Sequence, residues 1–475
     1  MFSNIKQKLE EHNVFKKVAK NSSWIVFQNI FTMILGVVIT GVIARYFGTE
    51  KYGIFNYILS ITSLFSGIAS IGIYHIATKD LTQRPEDEGK ILGTSFTIRL
   101  IAAILLVIAA ETTVCIMTHN DSTSMVIGIL LSLMMLFSCS EVIDYYATAN
   151  LKVKYLAVSK CISYIIFAVL KILIVVLKLD IRYYTATYLI EGIIYAIFLS
   201  ISYKLIHKNI GKTCKWSFDK DYAKKLLSNC WYFALSSIMV TIYMRIDQVM
   251  LGKMIEDKSQ VGIYSAAVRI AEMWAFVPNS IISSFKPVIM KYKGENNNKE
   301  YVKNLQRLYD ISSLVSILFA IGITIFARLI IMILYGKAFL EASKILYILI
   351  WGIWFGILGN VHYVWLICEN KGKYSLFYSA TGSISNIIFN AILIPKYGMY
   401  GAAIATLISQ FIANIVSFGI FKETRVLSKF AIKAILLVEP LKFVKNKIKG
   451  VKDEGWRSEF KRITTGRTRY FKGIY

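Results

Sequence analysis

The chain has 475 residues, 56% of them hydrophobic and only 18% charged, with a formal charge of +26. So few charged residues, against roughly 25% in water-soluble domains, exclude an ordinary soluble enzyme. The basic residues lie in short segments between apolar runs and in the tail, which excludes a nucleic-acid-binding domain and points to loops held on an anionic membrane face.

Residues 1–20 are polar and basic, with Lys6, Lys8, Lys16, Lys17 and Lys20. The apolar run that follows is too long for a signal-peptide core and has no small-residue cleavage site after it, so an uncleaved N-terminus is expected. Twelve apolar segments are long enough to cross a hydrocarbon core about 30 Å thick. They are predicted at 22–44, 54–77, 92–117, 125–147, 158–178, 184–205, 229–251, 263–289, 309–334, 344–367, 375–394 and 400–421. The eighth carries Pro278 and Pro287 and is expected to bend. Lysine and arginine gather at one end of these segments: the N-terminus, 78–91, 148–157, 206–228, 290–308, 368–374 and 422–475. The opposite loops carry one or two basic residues each. The basic end is expected in the cytoplasm, with both termini there, in a multi-pass protein of the cytoplasmic (inner) membrane. In the tail, Phe430–Val438 is apolar but short and interrupted by Lys433. An amphipathic helix on the inner leaflet is expected there.

An internal duplication is visible. Arg45-Tyr-Phe-Gly48 and Tyr52-Gly-Ile-Phe55 flank the first polar loop; Met250-Leu-Gly252 and Val261-Gly-Ile-Tyr264 flank the corresponding loop of the second half. Trp24 and Trp231 open matching segments, and Lys154-Tyr155 matches Lys373-Tyr374. The organisation read from this is all-α: an N-lobe over 1–205, a cytoplasmic basic linker over 206–228, a C-lobe over 229–421 and a basic cytoplasmic tail over 422–475. Two six-helix halves make a transporter with a central cleft.

Enzymatic and metal chemistry find little support. The six cysteines are dispersed with no Cys-x-x-Cys pair, so no disulfide or metal framework is expected. Gly211-Lys212-Thr213 lacks the earlier glycine of a phosphate loop, because position 206 is Ile. His75, His119 and His362 stand alone. What remains is a set of charges inside apolar segments, each costing roughly 2.5–3.5 kcal/mol at a bilayer centre. These are Arg99, Glu141, Asp144, Lys171 and Glu191 in the first half, and Arg245, Asp247, Arg269, Glu272 and Arg328 in the second. Glu141 and Asp144 share a helix face, as do Arg269 and Glu272. Arg245 and Asp247 are two apart and cannot face the same way, so one of them needs a partner on another helix. The charges either neutralise one another across helices or line a wet passage. Gln28 and Asn29 are candidates to line the cleft and bond sugar hydroxyls. Trp351, Trp354, Tyr363 and Trp365 either stack on sugars or pack and form interfacial belts.

Over residues 15–425 the chain resembles the polysaccharide-type flippases of the multidrug/oligosaccharidyl-lipid/polysaccharide (MOP) exporter superfamily. The resemblance rests on Arg45-Tyr-Phe-Gly-x-x-x-Tyr-Gly-Ile-Phe-Asn56, Arg245-Ile-Asp247-x-x-x-Leu-Gly252, Val261-Gly-Ile-Tyr-Ser265 leading into Arg269, and Pro395-Lys-Tyr-Gly398-x-x-Gly401. It implies a V-shaped fold of two six-helix lobes and alternating access. It also implies a cargo, an undecaprenyl-pyrophosphate-linked oligosaccharide carried to the outer leaflet for capsule, O-antigen or exopolysaccharide. On that reading Arg245 and Arg269, with Arg99, Lys171, Gln28 and Asn29, meet the substrate, while Glu141, Asp144, Glu191, Asp247 and Glu272 serve ion coupling or charge pairing. No cofactor and no metal are expected, with coupling to H+ or Na+. Membrane lipids, a polysaccharide polymerase and glycosyltransferases are the expected partners. The related peptidoglycan-precursor flippases carry basic residues in the first helix and two more helices; Trp24, Gln28 and Asn29 stand here, which favours a surface-glycan repeat unit. The alternatives are a cation-coupled drug antiporter, disfavoured by a first segment without acids, and a membrane glycan polymerase.

Overall fold

The computed structural model describes residues 2–69, 72–208 and 214–438; these are almost entirely helical and contain no strand. In chain order the helices are α1 (Phe2–Ala69), α2 (Ile73–Gln83), α3 (Glu88–Met117), α4 (Ser122–Ser138), α5 (Val142–Ala149), α6 (Val153–Val176) and α7 (Ile181–Lys208). The second half comprises α8 (Lys220–Met254), α9 (Ser259–Trp274), α10 (Phe276–Gly294), α11 (Asn298–Leu334), α12 (Ala342–Cys368), α13 (Lys373–Phe411) and α14 (Arg425–Ile435).

Among the described residues, nine helices are long and apolar enough to cross a membrane. Twelve spans were expected, and the difference has local causes. Ser23–Ile68 and Lys373–Gly419 each register as one helix of 46 and 47 residues. Each holds a break at a glycine with positive φ, Gly48 (74°) and Gly398 (53°), a conformation that L side chains rarely adopt. The expected bend in the eighth segment falls between α9 and α10, because Pro278 has no N–H to offer the Trp274 carbonyl. The fourth expected segment, 125–147, is α4 and α5 joined by a 3-10 turn, Cys139–Glu141.

The segment expected as a linker, 206–228, is largely structured. α7 runs to Lys208 and α8 starts at Lys220. The piece before α8 is tied to α3: Ser217 N–H donates to the Gly89 carbonyl at 3.1 Å and Asp219 N–H to Thr94 Oγ1 at 2.9 Å. In the tail, α14 starts five residues before the expected Phe430–Val438 piece and exposes Arg425, Lys429 and Lys433; it buries Leu427, Ala431 and Ala434 against the C-lobe, where an apolar face on the inner leaflet was expected. The remaining expected tail, 439–475, lies outside the described residues.

The two halves meet most closely at their lysine-poor end. A Cβ built on Gly53 would press into the Lys258 carbonyl oxygen, and one on Gly262 into the Thr49 carbonyl oxygen. These are the glycines of the duplicated Tyr-Gly-Ile-Phe and Val-Gly-Ile-Tyr motifs. The contact is reciprocal: each glycine lets its helix lie against the backbone four residues before the other. Small residues permit such close backbone approach between membrane helices. Around this crossing α1, α9, α11 and α12 contribute a common apolar core that includes Ile43, Phe55, Ile58, Tyr264, Ala267, Ile331 and Ile345.

Candidate functional site

Inward from the glycine crossing lies a cavity of about 270 Å³ between the halves. Its first wall comes from α1 on both sides of the Gly48 kink, α6 and α7; its second comes from α8 and α9. Five charged side chains line it: Lys171 and Glu191 from the first half, and Arg245, Arg269 and Glu272 from the second. Three cations against two acids leave the lining net positive.

Each charge has a distinct environment. Arg245 Nη1 lies 4.0 Å from Glu272 Oε1, and both side chains are about a third exposed, at 31% and 30%. Glu272 and Arg269 both face the cavity, as their spacing predicts, yet the acid pairs across helices with Arg245. Arg269 has no ion-pair partner among the described residues. Tyr52, Tyr164 and Tyr188 line the same cavity. The close approach of α1 here depends on Gly36: a Cβ there would stand 2.5 Å from the Tyr164 hydroxyl and 3.5 Å from Arg269 Nη2. Lys171 is 3% exposed, donates to the Tyr188 hydroxyl at 3.1 Å, and lies 3.8 Å from the Phe167 ring centre and 4.2 Å from that of Tyr188. Rings pack against this ammonium, and Glu191 in the same cavity is the acid whose charge reaches it.

A second cavity, of about 280 Å³, is lined by Gly72, Tyr74, Arg99, Glu141, Asp144, Tyr145 and Ser237. Arg99 is 3% exposed; Nη1 donates to the Tyr145 hydroxyl at 2.7 Å and Nη2 to Glu141 Oε2 at 3.0 Å. Glu141 and Asp144 share this cavity, as their spacing predicts. Tyr195 donates weakly to Asp144 Oδ2 at 3.4 Å.

Asp247 lines neither cavity. It is 5% exposed and enclosed by the C-lobe, where it accepts hydrogen bonds from Tyr264 (2.8 Å), Asn390 (2.6 Å) and Thr406 (2.5 Å). Asn390 also donates to Asn386 Oδ1 at 3.1 Å, while Asn390 Oδ1 has no donor among the described residues. Sequence reasoning overlooked these partners, since a neutral polar residue costs a membrane helix far less than a charge does. The i,i+4 spacing of Asn386 and Asn390 inside an apolar run was the available signal. Gln248 was overlooked as well; its Oε1 accepts from Ser60 at 2.7 Å and Ser265 at 3.2 Å, joining the two halves.

Several expected positions stand apart. Gln28 and Asn29 line neither cavity. Gln28 precedes Thr40, a wall residue, by twelve positions on α1, about 18 Å at 1.5 Å per residue. Neither do the α12 aromatics: Trp354 donates to Ser313 Oγ at 3.1 Å and Trp365 is buried in the C-lobe core, so packing accounts for both. Arg328 is exposed on α11.

A bundle of apolar helices in two halves, parted by a polar cavity with excess positive charge, has the architecture of a multi-pass membrane exporter. Residues 18–293 match the family described as polysaccharide biosynthesis protein, and residues 233–392 match the MatE family. The first match spans more than half the chain, and the chain belongs to the polysaccharide biosynthesis protein family, within the MOP superfamily. It is 25% identical over 412 residues to the capsular polysaccharide biosynthesis protein CapF of Staphylococcus aureus, covering 86% of this chain and 100% of that one. It is 28% identical over 211 residues to the probable low-salt glycan biosynthesis flippase Agl15 of Haloferax volcanii, 44% of each chain. The fold is shared with the lipid II flippase MurJ in an inward closed conformation (TM-score 0.66, 19% identity, 92% of this chain and 94% of that one). It is also shared with an inward-facing MATE multidrug resistance transporter (TM-score 0.61, 15% identity, 85% and 95%).

Proposed function

We propose that this protein is a flippase that carries an undecaprenyl-pyrophosphate-linked oligosaccharide from the inner to the outer leaflet of the cytoplasmic membrane, for capsule or a related surface glycan, without making or breaking covalent bonds. The observation that supports it most is the placement of Arg245, Arg269 and Lys171 around one cavity with only two acids. A guanidinium with no acidic partner in a low-dielectric bundle is costly unless an anion reaches it. Planar, permanently charged guanidinium groups suit a pyrophosphate. The excess of positive charge disfavours the organic cations of a drug antiporter.

The physical barrier is the passage of a charged, hydroxylated head through hydrocarbon. The head travels in the cleft while the prenyl chain stays in lipid. With the basic end in the cytoplasm, the Gly53–Gly262 crossing is an outer seal, and the cavity is reached from within. Parting of that crossing, with closure at the other end, exposes the cavity outward. Counting each of the two kinked helices twice, and the α9–α10 pair as one crossing, gives twelve spans and cytoplasmic termini. An ion gradient supplies the drive: the Asp247 cage, a buried carboxylate held by two hydroxyls and an amide N–H, with Asn390 Oδ1 unpartnered among the described residues, suits H+ or Na+. Glu141, Glu191 and Glu272 serve as counter-charges. A polymerase and glycosyltransferases act on either side of this step.

The test is surface glycan in the native host. Arg269→Gln or Arg245→Gln, in protein that is still inserted at normal level, lowers it sharply on this account, and the two together abolish it. Unchanged glycan in both variants counts against the assignment.

A further inference from the structure

Resting on the flippase reading, we infer that the second cavity is a glycan subsite, which binds a neutral sugar of the cargo about 12 Å along α8 from Arg245.

The lining carries the argument. None of the seven described residues that line this void of about 280 Å³ is aliphatic, although the surrounding helices are mostly aliphatic. A hollow that sets carboxylates, a guanidinium and hydroxyls among apolar carbon holds water or a ligand with both hydroxyls and C–H faces, as a sugar has. Its charge rejects phosphate. Among the described lining residues the cation is Arg99, which is engaged by Glu141 and the Tyr145 hydroxyl, and a second carboxylate, Asp144, stands beside them.

The free hydrogen-bonding capacity suits a polyol. Asp144 Oδ1 and Arg99 Nε are both buried with no partner among the described residues. They are an acceptor and a donor for neighbouring hydroxyls, and burial makes leaving them unmet costly. Tyr74, 40% exposed, meets the Tyr145 ring edge-on at 5.4 Å between ring centres and offers an aromatic face to sugar C–H groups.

Position links the two sites. Ser237, in the second cavity, precedes Arg245, in the first, by eight residues on α8, about 12 Å along the axis. A pyrophosphate alone does not cover that distance; a short oligosaccharide attached to it does. α8 starts at the basic end, so the glycan subsite lies on the cytoplasmic side of the arginines. Its walls come from both halves, Ser237 from the second and the rest from the first. Movement of the halves would therefore dismantle the subsite and release the sugar.

The experiment uses the full-length protein in lipid nanodiscs and two probes: undecaprenyl pyrophosphate, and undecaprenyl pyrophosphate carrying a tetrasaccharide. Asp144→Asn and Tyr74→Ala are each compared with the unaltered chain and with Arg269→Gln; Tyr74 is half-exposed, so its loss does not hollow the core. The expected result is a loss of affinity for the tetrasaccharide probe of about fivefold per variant, with the sugar-free probe held within about twofold. Equal weakening of both probes, or of neither, overturns the inference. So does a change confined to Na+ or pH dependence, which would make the hollow a cation site. Failure of Arg269→Gln to weaken either probe would instead strike at the flippase reading, whatever the two subsite variants do.

Discussion

Arg245 and Asp247 stand two residues apart on one helix and live in opposite surroundings. Arg245 is about a third exposed in the cavity between the halves, with one acid 4.0 Å away. Asp247 is 5% exposed inside the C-lobe, held by three donors from α9 and α13. A helix turns about 100° per residue, so these side chains diverge by about 200°. One rigid element thus presents a loosely held charge to a changing cargo and a firmly held charge to a fixed cage. A rotation or shift of α8 at Arg245 would be felt at Asp247, so the proposed coupling between cargo and ion would have a material path.

That contrast can be stressed at four points. The largest effect is expected from Gly262→Val, which forces α9 off the Thr49 backbone. It should open the Arg245 cavity outward while leaving the Asp247 cage closed, because the cage lies within one half. On a background lacking native cysteines, a cysteine at Ser63 should gain reactivity toward an impermeant thiol reagent added outside, and transport should cease; an unchanged reactivity would mean that the glycine crossing is no seal. Asp247→Asn comes next. It removes the fixed charge and keeps the shape, so transport should lose its dependence on the ion gradient by about tenfold or more, while undecaprenyl pyrophosphate binding in detergent stays within about twofold. Gradient-dependent transport in that variant would separate the cage from coupling. Glu272→Gln frees Arg245 from a partly exposed pair worth about 0–1 kcal/mol, so affinity for undecaprenyl pyrophosphate should rise by up to about fivefold. A fall in affinity would assign Glu272 to cargo binding. Gln28→Ala should change transport by less than about twofold, because Gln28 reaches neither cavity.

Much of this arrangement was legible in the chain. Apolar runs with basic flanks located the helices, and proline chemistry located the α9–α10 break. The repeated Tyr-Gly-Ile-Phe and Val-Gly-Ile-Tyr motifs announced the symmetry that places Gly53 against Gly262. The divergence of Arg245 and Asp247 followed from spacing alone. The rest depended on helix phase and tilt, which composition does not encode. Gln28 and Asn29 look like wall residues in sequence, but α1 reaches the cavity only three turns later. Glu272 looks paired with Arg269 one turn back, yet the helix crossing gives it to Arg245. Tyr264, Asn390 and Thr406 are ordinary polar residues until three separate segments bring them to one carboxylate. Nor does a residue pattern show that rings pack against Lys171.

The central claim is that Arg245 and Arg269 draw an anionic lipid head into the cavity between the halves. Reconstituted vesicles loaded with fluorescent undecaprenyl-pyrophosphate-oligosaccharide measure it most directly, by the rate at which the label becomes accessible to an impermeant quencher. The unaltered chain should flip the label, Arg269→Gln should slow it by about 30-fold, the loss expected for a charged hydrogen bond of about 2 kcal/mol, and Arg245→Gln and Arg269→Gln together should stop it. Flipping by the double variant at the unaltered rate would contradict the account.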